Sequence, residues 1–129
     1  LNIPLKYYQR FKYNKPTCEE LLELLDYEPN DHYHILLCHT PSYMKQYMVF
    51  DPDLVISGHY HGGMIRLPIL GGVITPQFEL FPKYNGGKYR LKDTDIIVSR
   101  GLGNHKIKMR LLNKPELICV ELKGEGLDK

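Results

Sequence analysis

Several classes of protein are excluded by what this chain lacks. No apolar run approaches the roughly eighteen residues a membrane-spanning helix needs, and no signal-peptide pattern opens the sequence. No sign of charge dominates, since 17 Lys and Arg stand against 15 Asp and Glu for a net +2. That balance gives no reason to expect nucleic acid or an anionic membrane surface as a partner. No C-x-x-C pair is present. The three cysteines, Cys18, Cys38 and Cys119, are odd in number and far apart. Cys38 and Cys119 sit in apolar runs, where a reduced, buried thiol is the default reading, and this favours a reducing compartment. Internal repeats and low-complexity segments are also missing. The first residue is Leu1 rather than Met, so an upstream segment is expected and the location of the parent protein stays open.

What remains is ordinary globular composition, 43% hydrophobic and 25% charged over 129 residues, enough for one domain. Residues 1–16 lack periodicity and are punctuated by Pro4 and Pro16. Lys6, Arg10, Lys12 and Lys15 lie there among Tyr7, Tyr8, Phe11 and Tyr13. Basic and aromatic residues so mixed can bind single strands, but a solvated irregular lead-in is the preferred reading. Thr17 and Glu20 form a capping box that predicts a helix over 17–27, with Leu21, Leu22 and Leu25 on its apolar side. The helix should stop before Pro29.

Residues 33–38 form a continuous apolar run, read as a strand buried on both faces. A short helix is expected over 42–50, with Tyr43, Met44, Tyr47 and Met48 turned inward. Residues 54–56 and 95–99 read as two more buried strands. Between them lie about thirty residues rich in turn formers, Pro68, Gly71, Gly72, Pro76, Pro82, Gly86 and Gly87. So long an excursion inside a domain usually serves a site. Two antiparallel strands, 107–111 and 117–122, are expected to follow, joined at Asn113-Lys114-Pro115. The tail from Lys123 is polar and expected to fray.

Each buried-type strand ends in polar or glycine-rich sequence: His39 after the first, Gly58-His59-Tyr60-His61-Gly62-Gly63 after the second, Arg100 after the third. Ligands of open α/β sheets bind beyond the carboxyl ends of strands. Neutral imidazoles suit zinc, manganese, iron or nickel. A single histidine is more often a structural residue, but Gly-His-x-His straight after an apolar strand reverses that preference. In extended backbone His59 and His61 would leave one face together. Arg100 has two readings, a phosphate contact or a surface salt bridge. Tyr60 likewise either stacks on a substrate's organic group or packs, and Arg66 and Arg110 read as structural.

Leu37-Cys38-His39-Thr40-Pro41 followed by Gly58-His59-Tyr60-His61 resembles the closing motifs of the calcineurin-like metallophosphoesterases. Ile65-Arg66-Leu67-Pro68, Ser99-Arg100-Gly101-Leu102-Gly103, Arg110 and Lys114-Pro115-Glu116 are similar to a bacterial, often membrane-associated subgroup. The resemblance covers about residues 33–122, the C-terminal half of such a domain. Tyr60 departs from the threonine common there, and Met64 from glutamine. The family's D-x-H, G-D-x-x-D and G-N-H-[ED] motifs have no counterpart upstream of His39, and Gly103-Asn104-His105 reads as a turn.

The resemblance implies an α/β fold, half of a four-layer α/β/β/α sandwich, with a mixed sheet and antiparallel C-terminal strands. It implies two divalent ions (manganese, iron, zinc or nickel) in the complete domain, with His39 and His59 on one and His61 on the other. The substrate would be a phosphomonoester or phosphodiester, and the general acid would come from the absent N-terminal half. The 1–129 chain would then be a single, incomplete domain, inactive alone and open to self-association through an exposed sheet edge. Two other readings stay open: a non-catalytic metal-binding or interaction fragment, and a mononuclear three-histidine zinc hydrolase.

Overall fold

The structure, a computed structural model, describes residues 1, 3, 4, 7, 15–63, 65–75, 80–103 and 110–124. Helix α1 spans Cys18–Leu25. Its capping box forms as expected, with the Thr17 side chain accepting from the Glu20 amide and the Glu20 carboxylate from the Thr17 amide. The helix is shorter than 17–27 because Asp26 turns left-handed at φ 47°.

Strand β1 is Ile35–Cys38 and β2 is Leu54–Ser57. Between them the chain coils as a 3-10 turn at Pro41–Tyr43, one α turn (α2) at Met44–Tyr47, and a second 3-10 turn at Met48–Phe50. The expected helix over 42–50 is therefore broken into three tight pieces. The excursion contributes an antiparallel pair, β3 at Ile65–Leu67 and β4 at Gly71–Ile74. Strand β5, Gly87–Leu91, then turns at Lys92 (φ 54°) into β6, Thr94–Val98.

One four-stranded mixed sheet results, in the order β1-β2-β6-β5. Strands β1, β2 and β6 run parallel, and β5 pairs antiparallel with β6. Its antiparallel C-terminal strands are β5 and β6, earlier in the chain than the expected pair at 107–111 and 117–122. Residues 113–124 form no strand, with Leu117 and Leu122 exposed, and 104–109 lie outside the described residues. Turn formers between Pro68 and Gly87 masked β5 in the sequence. Around Asp53 the parallel register is pinned: the His34 amide donates to its carboxylate (2.7 Å), and its carbonyl accepts from the Asp95 amide (2.9 Å).

The core lies on one side of this sheet. Leu36, Cys38, Val55, Ile96 and Val98 face Leu21, Tyr43, Met44, Tyr47 and Phe50. Ile3 and Tyr7 of the lead-in join them, and the Tyr43 hydroxyl donates to the Tyr7 carbonyl (2.6 Å). These two anchor a segment that periodicity had left as solvated; Lys6, Tyr8, Arg10, Phe11, Lys12 and Tyr13 lie outside the described residues.

On the other side the expectation of double-faced burial fails for β1. Ile35 and Leu37 are 40% and 60% exposed, because β1 is an edge strand with alternate residues turned from the core. Cys119 is exposed too, against its expected burial, since the strand meant to bury it does not form. Among the described residues no helix is long and apolar enough to cross a membrane.

Candidate metal centre

Parallel pairing of β1, β2 and β6 puts their carboxyl ends on one edge, so the three segments that follow emerge together. The Gly58 amide donates to the His39 carbonyl (3.3 Å) and the Ser99 amide to the Ser57 carbonyl (2.8 Å), tying the segments beyond the strands. As a result the rings of His39 and His59 meet, centroids 4.4 Å apart and planes inclined at 56°. A cleft of about 600 Å³ opens beside His39, lined also by Leu37, Ile56 and Gly58.

His59 and His61 do not share one extended strand. Both adopt left-handed backbone, φ 66° and 47°, and the Gly63 amide closes the turn on the Tyr60 carbonyl (2.7 Å). Non-glycine residues in this region are uncommon, each costing about 1–3 kcal/mol, and persist where the surroundings over-determine them. Gly62 and Gly63 continue the turn at φ 74° and 89°. A Cβ on Gly62 would stand 2.7 Å from Asn113 Oδ1 and 2.8 Å from Arg100 Cγ, so only glycine fits there.

His61 is surrounded by the turn that follows β6. Its pKa is lowered, first by burial, then by the Arg110 charge and by His39. Hydrogen bonds to the Arg100 and Gly103 backbone pull the other way. Arg110 Nη2 lies 3.3 Å from His61 Nδ1 and donates to the Arg100 carbonyl (2.8 Å). A ring nitrogen directed at backbone carbonyls, with the imidazole kept neutral, is how proteins usually hold a metal-ligating histidine.

The other candidates are placed as follows. Arg100 donates through Nε to the Glu116 carboxylate, the salt-bridge alternative raised by the sequence. Tyr60 is 4% exposed, and its hydroxyl is 2.6 Å from Ser42 Oγ, so it packs. Tyr60 also lines a second cavity of about 210 Å³ to which Lys45, Lys83 and Tyr84 contribute. Asn113 went unnoticed in the sequence, where it stood as an ordinary turn residue. Only 3% exposed, it bonds the carbonyls of both His61 and Gly63.

On donor chemistry the three histidines fit one side of a metal centre: two imidazoles in contact and a third, beside backbone carbonyls, whose pKa is lowered. Among the described residues, however, no three His, Cys, Asp or Glu side chains come together as a group able to hold an ion. Asp53 is engaged at the opposite end of the strands.

Comparison with known proteins bears on what this site serves. No family model and no solved structure matches the chain. A Bacillus subtilis protein named uncharacterized metallophosphoesterase YkuE is 40% identical over 92 residues, covering 71% of this chain and 32% of that protein. An uncharacterized metallophosphoesterase of Aquifex aeolicus is 37% identical over 105 residues, 81% of this chain and 38% of its own. Phosphodiesterase YaeI of Escherichia coli is 33% identical over 89 residues, 68% of this chain and 32% of its own. The chain spans about a third of the length of these curated relatives.

Proposed function

Starting from a chain that is a homologue of the metallophosphoesterases and resembles their C-terminal half, we propose that it supplies one side of a phosphoester-hydrolysing centre. The contact of His39 with His59 at the ends of adjacent parallel strands carries this reading. His39 and His59 would hold one divalent ion and His61 a second, of manganese, iron, zinc or nickel. Such a pair of ions supplies an activated water and a clamp on the phosphate oxygens. The chain's own part is to present the three imidazoles, to hold His61 against the Arg100 and Gly103 backbone, and to line the cleft beside His39.

A bridging carboxylate and a general acid would come from the absent half of the domain. That half would also cover the sheet face carrying Ile35 and Leu37, completing a four-layer sandwich. Their exposure supports this, because apolar side chains on a sheet face ordinarily meet a second layer. Arg100 would then present its remaining guanidinium nitrogens to the phosphate, and Tyr60 would border the organic part of the ester.

The lack of a complete ligand group among the described residues favours one rival: a metal-binding fragment without catalysis in the parent. Joining the chain to an N-terminal half from a homologue, then assaying p-nitrophenyl phosphate and bis-p-nitrophenyl phosphate with manganese, separates the two. The proposal expects turnover that disappears on His59→Ala. A folded, metal-loaded hybrid with no turnover of either ester would favour the rival.

A further inference from the structure

We infer that Asn113 is the positioning residue of the histidine turn, acting on the metal ligands from a distant segment without touching the ion; this rests on the metal-binding reading of the histidines. One amide nitrogen makes two bonds, Nδ2 donating to the His61 carbonyl (2.6 Å) and to the Gly63 carbonyl (2.7 Å). Both acceptors belong to the left-handed stretch, where the backbone has few regular partners. A turn with φ 66° at His59 and 47° at His61 needs support from outside itself, and Asn113 gives that support with both of its donor hydrogens.

The fit is specific to an amide. Asn113 is 3% exposed, so neither carbonyl can exchange it for bulk water without opening the turn. Its Oδ1 has no hydrogen-bond partner among the described residues, and a Cβ on Gly62 would approach it to 2.7 Å. Gly62 is therefore the position that lets Asn113 in. An acceptor left buried and unpaired is costly, which argues that the donor end is what fixes the side chain there.

Asn113 does not act alone on its segment. Arg110 bonds the Arg100 carbonyl (2.8 Å), and the Glu116 amide bonds the Gly101 carbonyl (3.1 Å) while its carboxylate takes Arg100 Nε. Residues 110–116 thus clamp both turns at the carboxyl edge of the sheet, and Asn113 is the member that grips the histidine turn itself. Partners of this kind, which orient ligands without binding the ion, usually change metal affinity by about 10–100-fold when replaced.

Asn113→Asp tests this, because it keeps the shape and removes both donor hydrogens. Asn85→Ala is the control. Asn85 also braces a turn, donating to the Pro82 carbonyl (2.8 Å) and accepting from Arg66 (3.0 Å), but it touches neither histidine. Mn2+ alone is the probe, titrated by water-proton relaxation, with melting temperature and the ring NMR signals of His59 and His61 followed in parallel. Both variants should lose some thermal stability. Only Asn113→Asp should weaken Mn2+ binding, by about 10-fold or more, and shift the two ring signals. If the two variants bind Mn2+ equally, or the ring signals stay in place, Asn113 is merely structural and the inference is overturned. A wild-type chain that binds no Mn2+ would defeat the metal reading instead, while the ring signals still decide the role of Asn113. Should Asn113→Asp not fold, Asn113→Ser, which keeps a donor of shorter reach, is judged by the same two readouts.

Discussion

His39 and His59 face each other at 4.4 Å between ring centroids because β1 and β2 run parallel and in register, Cys38 beside Ser57. Neither loop alone produces the contact. It is a property of the sheet, and on the proposed reading the two imidazoles share one ion.

Replacing either member of that pair should therefore remove the same ion, whereas His61→Ala should remove the other. In a reconstituted parent domain, metal content measured by elemental analysis should fall by about one ion per chain in each single variant. His39→Ala combined with His59→Ala should lose no more than either alone. Loss of two ions in the double variant would separate the pair.

Cys38 offers a test of the core with no metal involved. Burial pushes its thiol up to about 11. A folded-state value above that of the unfolded chain favours the protonated form in the native protein. Stability is thus unaffected below the ordinary thiol range and falls as pH rises through it toward 11. At pH 8 the folded chain should react with iodoacetamide at the exposed Cys18 and Cys119 only, as mass spectrometry would record. Rapid native labelling of Cys38 would mean that this side of the sheet is open.

The two faces of β1 should respond oppositely. Leu36 is buried in the core, so Leu36→Ala should cost about 2–5 kcal/mol in urea denaturation. Leu37, 60% exposed on the uncovered face, should tolerate Leu37→Lys within about 0.5 kcal/mol. The same lysine should reduce self-association seen by light scattering, since an inward- or edge-placed charge blocks pairing. Equal destabilisation by the two changes would show that the second face is covered after all.

Thr17→Ala removes one half of a capping box that forms in the structure. It should destabilise the chain by about 0.5–2 kcal/mol. Thr17→Ser should restore most of that, as thermal melting would check. A melting temperature unchanged by Thr17→Ala would mean that α1 is held by the packing of Leu21 alone.

Much of this was legible in residues that act locally. The Thr17–Glu20 box, the apolar runs at 33–38 and 54–56, and the histidines that follow them all read directly from short patterns. What stayed hidden depends on partners distant in sequence. Nothing near His59 and His61 foretold left-handed backbone, because the support for it comes from Asn113. The single-faced burial of β1 follows from its place at the sheet edge, which a run of Ile35, Leu36 and Leu37 does not encode. Strand β5 was lost among Pro82, Gly86 and Gly87, and becomes a strand only by pairing with β6. The likeness to metallophosphoesterases was legible from His39-Thr40-Pro41 and Gly58-His59-Tyr60-His61, which the relatives' names bear out.

The joint use of His39 and His59 is tested most directly by zinc-edge X-ray absorption on the chain loaded with one equivalent of zinc. A spectrum containing two imidazoles at about 2.0–2.1 Å is the predicted result, with the scattering of both lost in His39→Ala and in His59→Ala alike. A wild-type spectrum without imidazole nitrogen, or one that neither substitution alters, would contradict the account.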